Sequence, residues 1–206
     1  MSSPISQHAA ADFPTRWGHF RILGFSGKFG VDRRLEEAVA LVIGDVAAAG
    51  ATPLVRIHSQ CLTGDVFGSL RCDCRQQLEL ALSMIASTGC GVLVYEQKEG
   101  RGIGLMAKLQ AYELQDQGLD TVEANERLGF KADHREFEMP ALILRHLGVK
   151  QIRLLSNNPQ KVAAMEDAGI KVVERVSAEV EPHAESARYL KTKQEKLGHI
   201  FGKASK

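Results

Sequence analysis

The stretch from Gln151 to Val176 constrains the fold more than any other part of this chain. It reads as a strand (QIRLL), a turn (SNNP), a helix (PQKVAAMEDAG) and a second strand (IKVVERV). Short apolar runs separated by a helical period are the pattern of a βαβ unit, whose crossover helix implies parallel strands. A similar order occurs twice upstream. LVRIH precedes a cysteine-rich segment and the helix RQQLELALSMIAS, which carries Leu78, Ala81, Leu82 and Ile85 on one face. GVLVY precedes a glycine-rich turn and a helix with Leu105, Leu109 and Tyr112 at helical spacing. These units predict an α/β fold with a mixed, largely parallel sheet and helices on both faces. Residues 1–53 alternate short apolar runs such as AVALVIG with turn formers, and they predict N-terminal β structure that extends the sheet, in an order the pattern does not reveal.

Local signals punctuate the rest. Asp120 and Glu123 have capping-box spacing, Pro140 suits a first helical turn, and Gly148 suits a helix C-terminus. The polar HAESARYLKTKQEKLGH predicts a surface helix, with a flexible tail over 199–206 after a single catalytic domain spanning 1–198. With 206 residues and 44% hydrophobic content, the chain can bury a core without cross-links. Its 26 basic and 25 acidic residues nearly cancel, which argues against an extended nucleic-acid-binding surface. The first residues lack a basic start followed by an apolar run, and no apolar stretch is long enough to span a membrane, so a cytoplasmic protein is expected. In that setting a Cys-x-Cys pair favours a metal over a disulfide, and the isolated Cys90 reads as a small buried hydrophobe.

Three segments carry chemistry. Cys72 and Cys74 flank one residue, and Cys61 can return to them through a loop containing Gly64 and Gly68. Three thiolates suit zinc and leave a fourth position for water, as in a catalytic site, or for His58, as in a closed structural one. EQKEGRGIG follows a strand and precedes a helix, so its backbone N–H groups and Arg101 can receive an anion, although a tight turn would use the same glycines. In SNNPQK, capping accounts for Asn158 and Pro159 but less well for Ser156 and Lys161, which are available to phosphate oxygens. ADHREF gathers Asp133, His134 and Arg135 in a polar turn, where a solvated charge cluster is the plainer reading. Gln77 and Tyr112 have simple structural roles on their helices. Together, the parts suit a metal-assisted hydrolase of a phosphorylated heterocycle.

The segments RIHSQCLTGDVFGSLRCDC, YEQKEGRGIGL, KLQAYELQDQGLDTVEANERLGF and LLSNNPQKV resemble GTP cyclohydrolase II, the enzyme family that begins riboflavin synthesis. The resemblance runs from about Pro14 to about Gly198. It implies one catalytic Zn2+ per subunit on Cys61, Cys72 and Cys74, with water in the fourth position and His58 as a neighbour. It also implies Mg2+ with the triphosphate, a homodimer, and conversion of GTP to formate, pyrophosphate and 2,5-diamino-6-(5-phosphoribosylamino)pyrimidin-4(3H)-one. By resemblance, Arg135 attacks the α-phosphate, Asp133 accepts a proton and Tyr112 meets the reacting base. Arginine is a poor nucleophile in its ordinary charge state, so electrostatic stabilisation is an alternative role for Arg135. GTP contacts would come from Arg56, Ile57, His58, Ser59, Gln60, Gln77, Glu99, Gly100, Arg101, Thr121, Ser156 and Lys161. The chain departs from the family at Gln60, commonly glutamate, at Ser156, commonly threonine, and at Arg75, commonly glycine. A relative that stops at a formamide product and a zinc-stabilised nucleic-acid module are the competing readings.

Overall fold

The structure is a computed structural model that describes residues 4–30, 33–130, 135–181, 183–196 and 198–200. Three long N-terminal strands, β1 (Ile5–Pro14), β2 (His19–Phe29) and β3 (Arg34–Ile43), pair antiparallel in sequence order. Next come β4 (Leu54–Ser59), the single turn α1 (Leu62–Asp65), α2 (Cys74–Thr88) and β5 (Gly91–Glu96). Then follow α3 (Leu105–Asp116), α4 (Thr121–Arg127), α5 (Glu138–His146), β6 (Gln151–Leu155), α6 (Pro159–Asp167), β7 (Lys171–Val176) and α7 (Ala187–Glu195). One seven-stranded sheet has the order β1-β2-β3-β5-β4-β6-β7. It is mixed, as expected: β5, β4, β6 and β7 run parallel, and β3 joins the N-terminal antiparallel strands to them through β5.

Alternation along the central strands divides the apolar residues between two cores. Val55 and Ile57 of β4 and Val92 and Val94 of β5 pack with Met139, Ile143 and Leu144 of α5 and Met165 of α6. Leu54 and Leu93 point the other way, onto Ala81, Leu82 and Ile85 of α2. Helices therefore cover both faces, which is why β4 and β5 are buried almost throughout. β1 is different: after Ile5 every residue is at least partly exposed, and its edge position tolerates Pro14, which cannot donate to a ladder.

Two sequence expectations are corrected. Leu109 of α3 is 40% exposed and Met106 is 65% exposed, whereas Lys108, Ala111, Tyr112 and Gln115 face a cleft. The useful stripe on that helix is therefore polar. The C-terminal helix α7 is not merely a surface helix, because Tyr189 also reaches the cleft.

The chain leaves β4 for α2 on one face and leaves β6 for α6 on the other. β4 and β6 are neighbours, so the loops beyond their C-terminal ends diverge and open a crevice, the usual ligand position in an open α/β sheet.

Candidate active site

Cys61, Cys72 and Cys74 converge beyond the C-terminal end of β4, and their sulfurs all lie within 4.8 Å of one another. The Cys61 and Cys72 sulfurs are 3.6 Å apart. Thiolates bound tetrahedrally to zinc at about 2.3 Å would be separated by about 3.8 Å, so the spacing suits this metal. Gly64 makes room for the cluster: a Cβ there would lie 2.8 Å from the Cys72 sulfur and 3.1 Å from that of Cys61. Cys74 opens α2, and its bonds with Cys61 and Cys72, together with burial, push its thiol well above the ordinary range. Hydrogen bonds from Cys72 and Cys74, with help from Lys108, hold the Cys61 thiol far below its ordinary range. The bond to Cys61 pushes Cys72 up to about 11.

Two buried carboxylates fix the backbone of this loop. Asp65 accepts from the Cys61 N–H at 3.0 Å, the Tyr95 hydroxyl at 2.8 Å and His58 Nε2 at 3.2 Å. Glu99 accepts from the Leu62 N–H at 2.7 Å, the Gly100 N–H at 3.0 Å and Lys108 Nζ at 2.7 Å. Lys108 also lies 3.1 Å from the Cys61 sulfur. Burial alone would lower its pKa, but the Cys61 charge and the Glu99 bond raise it, so the ammonium stays charged. His58 is stacked on Tyr95 with its Nε2 directed at Asp65. It is not part of the sulfur cluster, and burial lowers its pKa despite the Asp65 bond.

The cluster opens into a cleft of about 1080 Å³, measured with its solvent-filled mouth. Several polar donors stand on the other walls. Arg56 is 6% exposed and donates to the Leu155 carbonyl at 3.1 Å and to Gln77 Oε1 at 2.7 Å. Gln77 in turn donates to Asp73 at 2.6 Å, which ties the start of α2 to the sheet. Lys161 reaches the Ile57 carbonyl at 2.8 Å, and Arg135 Nη1 lies 3.4 Å from Ser59 Oγ. Arg56 Nε, both terminal nitrogens of Arg101 and Asn157 Nδ2 are buried and make no hydrogen bond among the described residues. Buried donors left open in this way ask for an acceptor-rich ligand.

The sequence profile of GTP cyclohydrolase II matches residues 6–177. The chain belongs to the GTP cyclohydrolase II family. It is 52% identical over 191 residues to GTP cyclohydrolase-2 of Buchnera aphidicola from Acyrthosiphon pisum, covering 93% of this chain and 96% of that one. To GTP cyclohydrolase-2 of Haemophilus influenzae strain Rd it is 52% identical over 193 residues, 94% of this chain and 88% of that one. To the riboflavin biosynthesis protein RibBA of Bacillus subtilis it is 49% identical over 201 residues, 98% of this chain but 50% of that longer one. The chain is thus a GTP cyclohydrolase II enzyme of riboflavin biosynthesis.

Nearly all the residues singled out from the cyclohydrolase sequence meet in this cleft. Arg56, His58, Ser59, Gln60 and Gln77 line it, as do Glu99, Gly100, Arg101, Tyr112, Thr121, Arg135, Ser156 and Lys161, together with the three cysteines. Ile57 does not: its side chain is in the core on the opposite face, and its carbonyl already accepts from Lys161. Asp133 and His134 lie outside the described residues. Arg75 is half-exposed and pairs with Glu79 at 3.2 Å, within one turn of α2. Cys90 is only partly buried, packed against the core just before the central strand β5. The sequence reading missed Lys108, Asp65 and Tyr95. Lys108, Tyr112 and Gln115 recur at i, i+4 and i+7, a signal that was available but was masked by the neighbouring leucines.

Proposed function

We propose that this protein hydrolyses GTP to 2,5-diamino-6-(5-phosphoribosylamino)pyrimidin-4(3H)-one, formate and pyrophosphate, using one Zn2+ per subunit and Mg2+ with the triphosphate. The observation that carries this reading is the three-sulfur cluster in the same cleft as the open donors of Arg56, Arg101 and Asn157. Cys61, Cys72 and Cys74 hold the zinc. Bound there, it supplies the Lewis acidity that activates water at neutral pH, which opening of the guanine imidazole ring and formate release require. Lys108 and Glu99 keep Cys61 in place during that work.

Arg101, Lys161 and Ser156 receive phosphate oxygens, in the turns that follow β5 and β6. Arg135 meets the α-phosphate, with Asp133 as its proton-accepting neighbour. A guanidinium held against Ser59 is a fixed cation, so its electrostatic role at phosphorus is the simpler one. Tyr112, whose hydroxyl lies 3.1 Å from Thr63 Oγ1, orients the base in this reading; burial raises its pKa, so it acts as a neutral phenol. The unit works as one catalytic domain in a cytoplasmic homodimer.

Product-resolved turnover tests the proposal. Protein supplied with zinc, magnesium and GTP should release formate, pyrophosphate and the diaminopyrimidine, and absence of all three refutes it. Cys72→Ser should abolish formate release together with zinc binding. Arg135→Ala should lower pyrophosphate release by about 10²-fold or more without loss of zinc. A product retaining the formyl group would instead assign the formamide-forming reaction.

A further inference from the structure

The chain does not leave the catalytic face after β7. Gln76 Nε2, in the first turn of α2, donates to the Glu181 carbonyl at 3.3 Å. The Lys196 ammonium pairs with Asp120 and Glu123, the capping box of α4. The Ile200 N–H donates to the Asn157 carbonyl at 2.9 Å. These attachments run from α2 to α4 to the turn after β6, and all three border the cleft. Ser186 and Thr192, at 0% and 6% exposure, anchor the segment at two points on its inner side. Tyr189 and His199 consequently line the cleft, although the family profile ends at residue 177.

Arg101 shows what this added wall accomplishes. Gly100 and Arg101 are consecutive left-handed residues, with φ of 60° and 61°, and for arginine that conformation is strained. Both terminal nitrogens of Arg101 are buried without a hydrogen-bond partner among the described residues. An unpaired buried charge is costly, so something must support the cation while its donors wait. The Tyr189 ring does so: its centroid lies 5.8 Å from Arg101 Cζ. A ring face attracts a guanidinium without consuming an N–H, in contrast to Arg56, whose terminal donors are already bonded to protein.

We propose that residues 183–196 and 198–200 form a built-in wall of the nucleotide cleft, and that Tyr189 is a positioning residue holding the Arg101 fork open for phosphate oxygens. The proposal rests on the GTP reading given above. Full-length wild type, Tyr189→Phe and Tyr189→Ala are compared by GTP turnover, by zinc content and by calorimetric binding of inorganic triphosphate with magnesium. Tyr189→Ala should raise KM and weaken triphosphate binding about tenfold, with kcat within about twofold and zinc unchanged. Tyr189→Phe should stay near wild type. Alanine behaviour equal to wild type overturns the proposal. So does a phenylalanine variant as impaired as alanine, which would assign the role to the hydroxyl, or a joint loss of zinc and kcat, which would make Tyr189 structural. If wild type fails to turn GTP over yet binds triphosphate in a Tyr189-dependent way, the substrate reading falls and the wall stands.

Discussion

Residues in the sulfur loop are held so closely that small substitutions have sharp consequences. At Gly64 a methyl group would sit 2.8 Å from the Cys72 sulfur, a distance that forces the cluster apart. Gly64→Ala is therefore expected to lower zinc stoichiometry well below one while leaving the sheet intact, measured by metal analysis beside circular dichroism. His58 gives a pH prediction. Its pKa is lowered from 6.5 by burial, so the unfolded chain binds the proton more readily than the folded one. Stability from this group is complete above about pH 6.5 and is lost as pH falls below that value, and NMR titration should find more than half of the rings neutral at pH 6.5. Spacing alone left His58 open as a fourth ligand, because sequence distance does not say which way a strand residue faces. Its position two residues beyond Arg56 on β4 puts it on the α2 face, where Asp65 and Tyr95 take it up.

Among elements, the legible ones were those whose ends are fixed locally. The Asp120 box forms with both halves present: Asp120 Oδ1 accepts from Glu123 N–H at 3.1 Å, and Glu123 accepts from Asp120 N–H at 2.8 Å. Asn158 caps α6, and Gly148 takes a φ of 76° just past α5. Short-range rules suffice in such places. They failed on α3, where the cleft draws in Lys108 and Tyr112 and leaves Leu109 exposed, since no propensity encodes what a helix face will meet. The α4 cap has two duties, because Lys196 of the C-terminal wall pairs with the same carboxylates. Asp120→Ala should cost about 1 kcal/mol, a fall of about 2–4 °C in Tm, and should also raise KM for GTP. A change in a turn remote from the cleft, such as removal of the Thr15 hydroxyl that accepts from Gly18 N–H at 3.1 Å between β1 and β2, should leave KM alone.

At the scale of the whole molecule, strand order was the part the sequence withheld. Helix crossovers identify parallel neighbours, but nothing local announces that β3 pairs with β5 across the intervening β4 and α2. Long-range pairing is decided by which apolar faces can close two cores together. Those cores also determine what metal removal should do. Phe25, Val55, Ile143 and Met165 fill one, Phe20, Ala81, Ile85 and Leu93 the other, and none of the three clustered cysteines belongs to either. The loop that carries the cysteines is held to the sheet by the bonds of Asp65 with Tyr95 and His58, and to the turn after β5 by the Leu62 N–H bond to Glu99, none of which needs a metal. A domain that owed its fold to zinc would unfold on chelation. Here a strong chelator should leave the circular dichroism spectrum unchanged and lower Tm only by the mass-action loss of bound ligand, while abolishing formate release. Cooperative unfolding of the metal-free protein at 25 °C would contradict this and would assign the cysteine cluster a structural role.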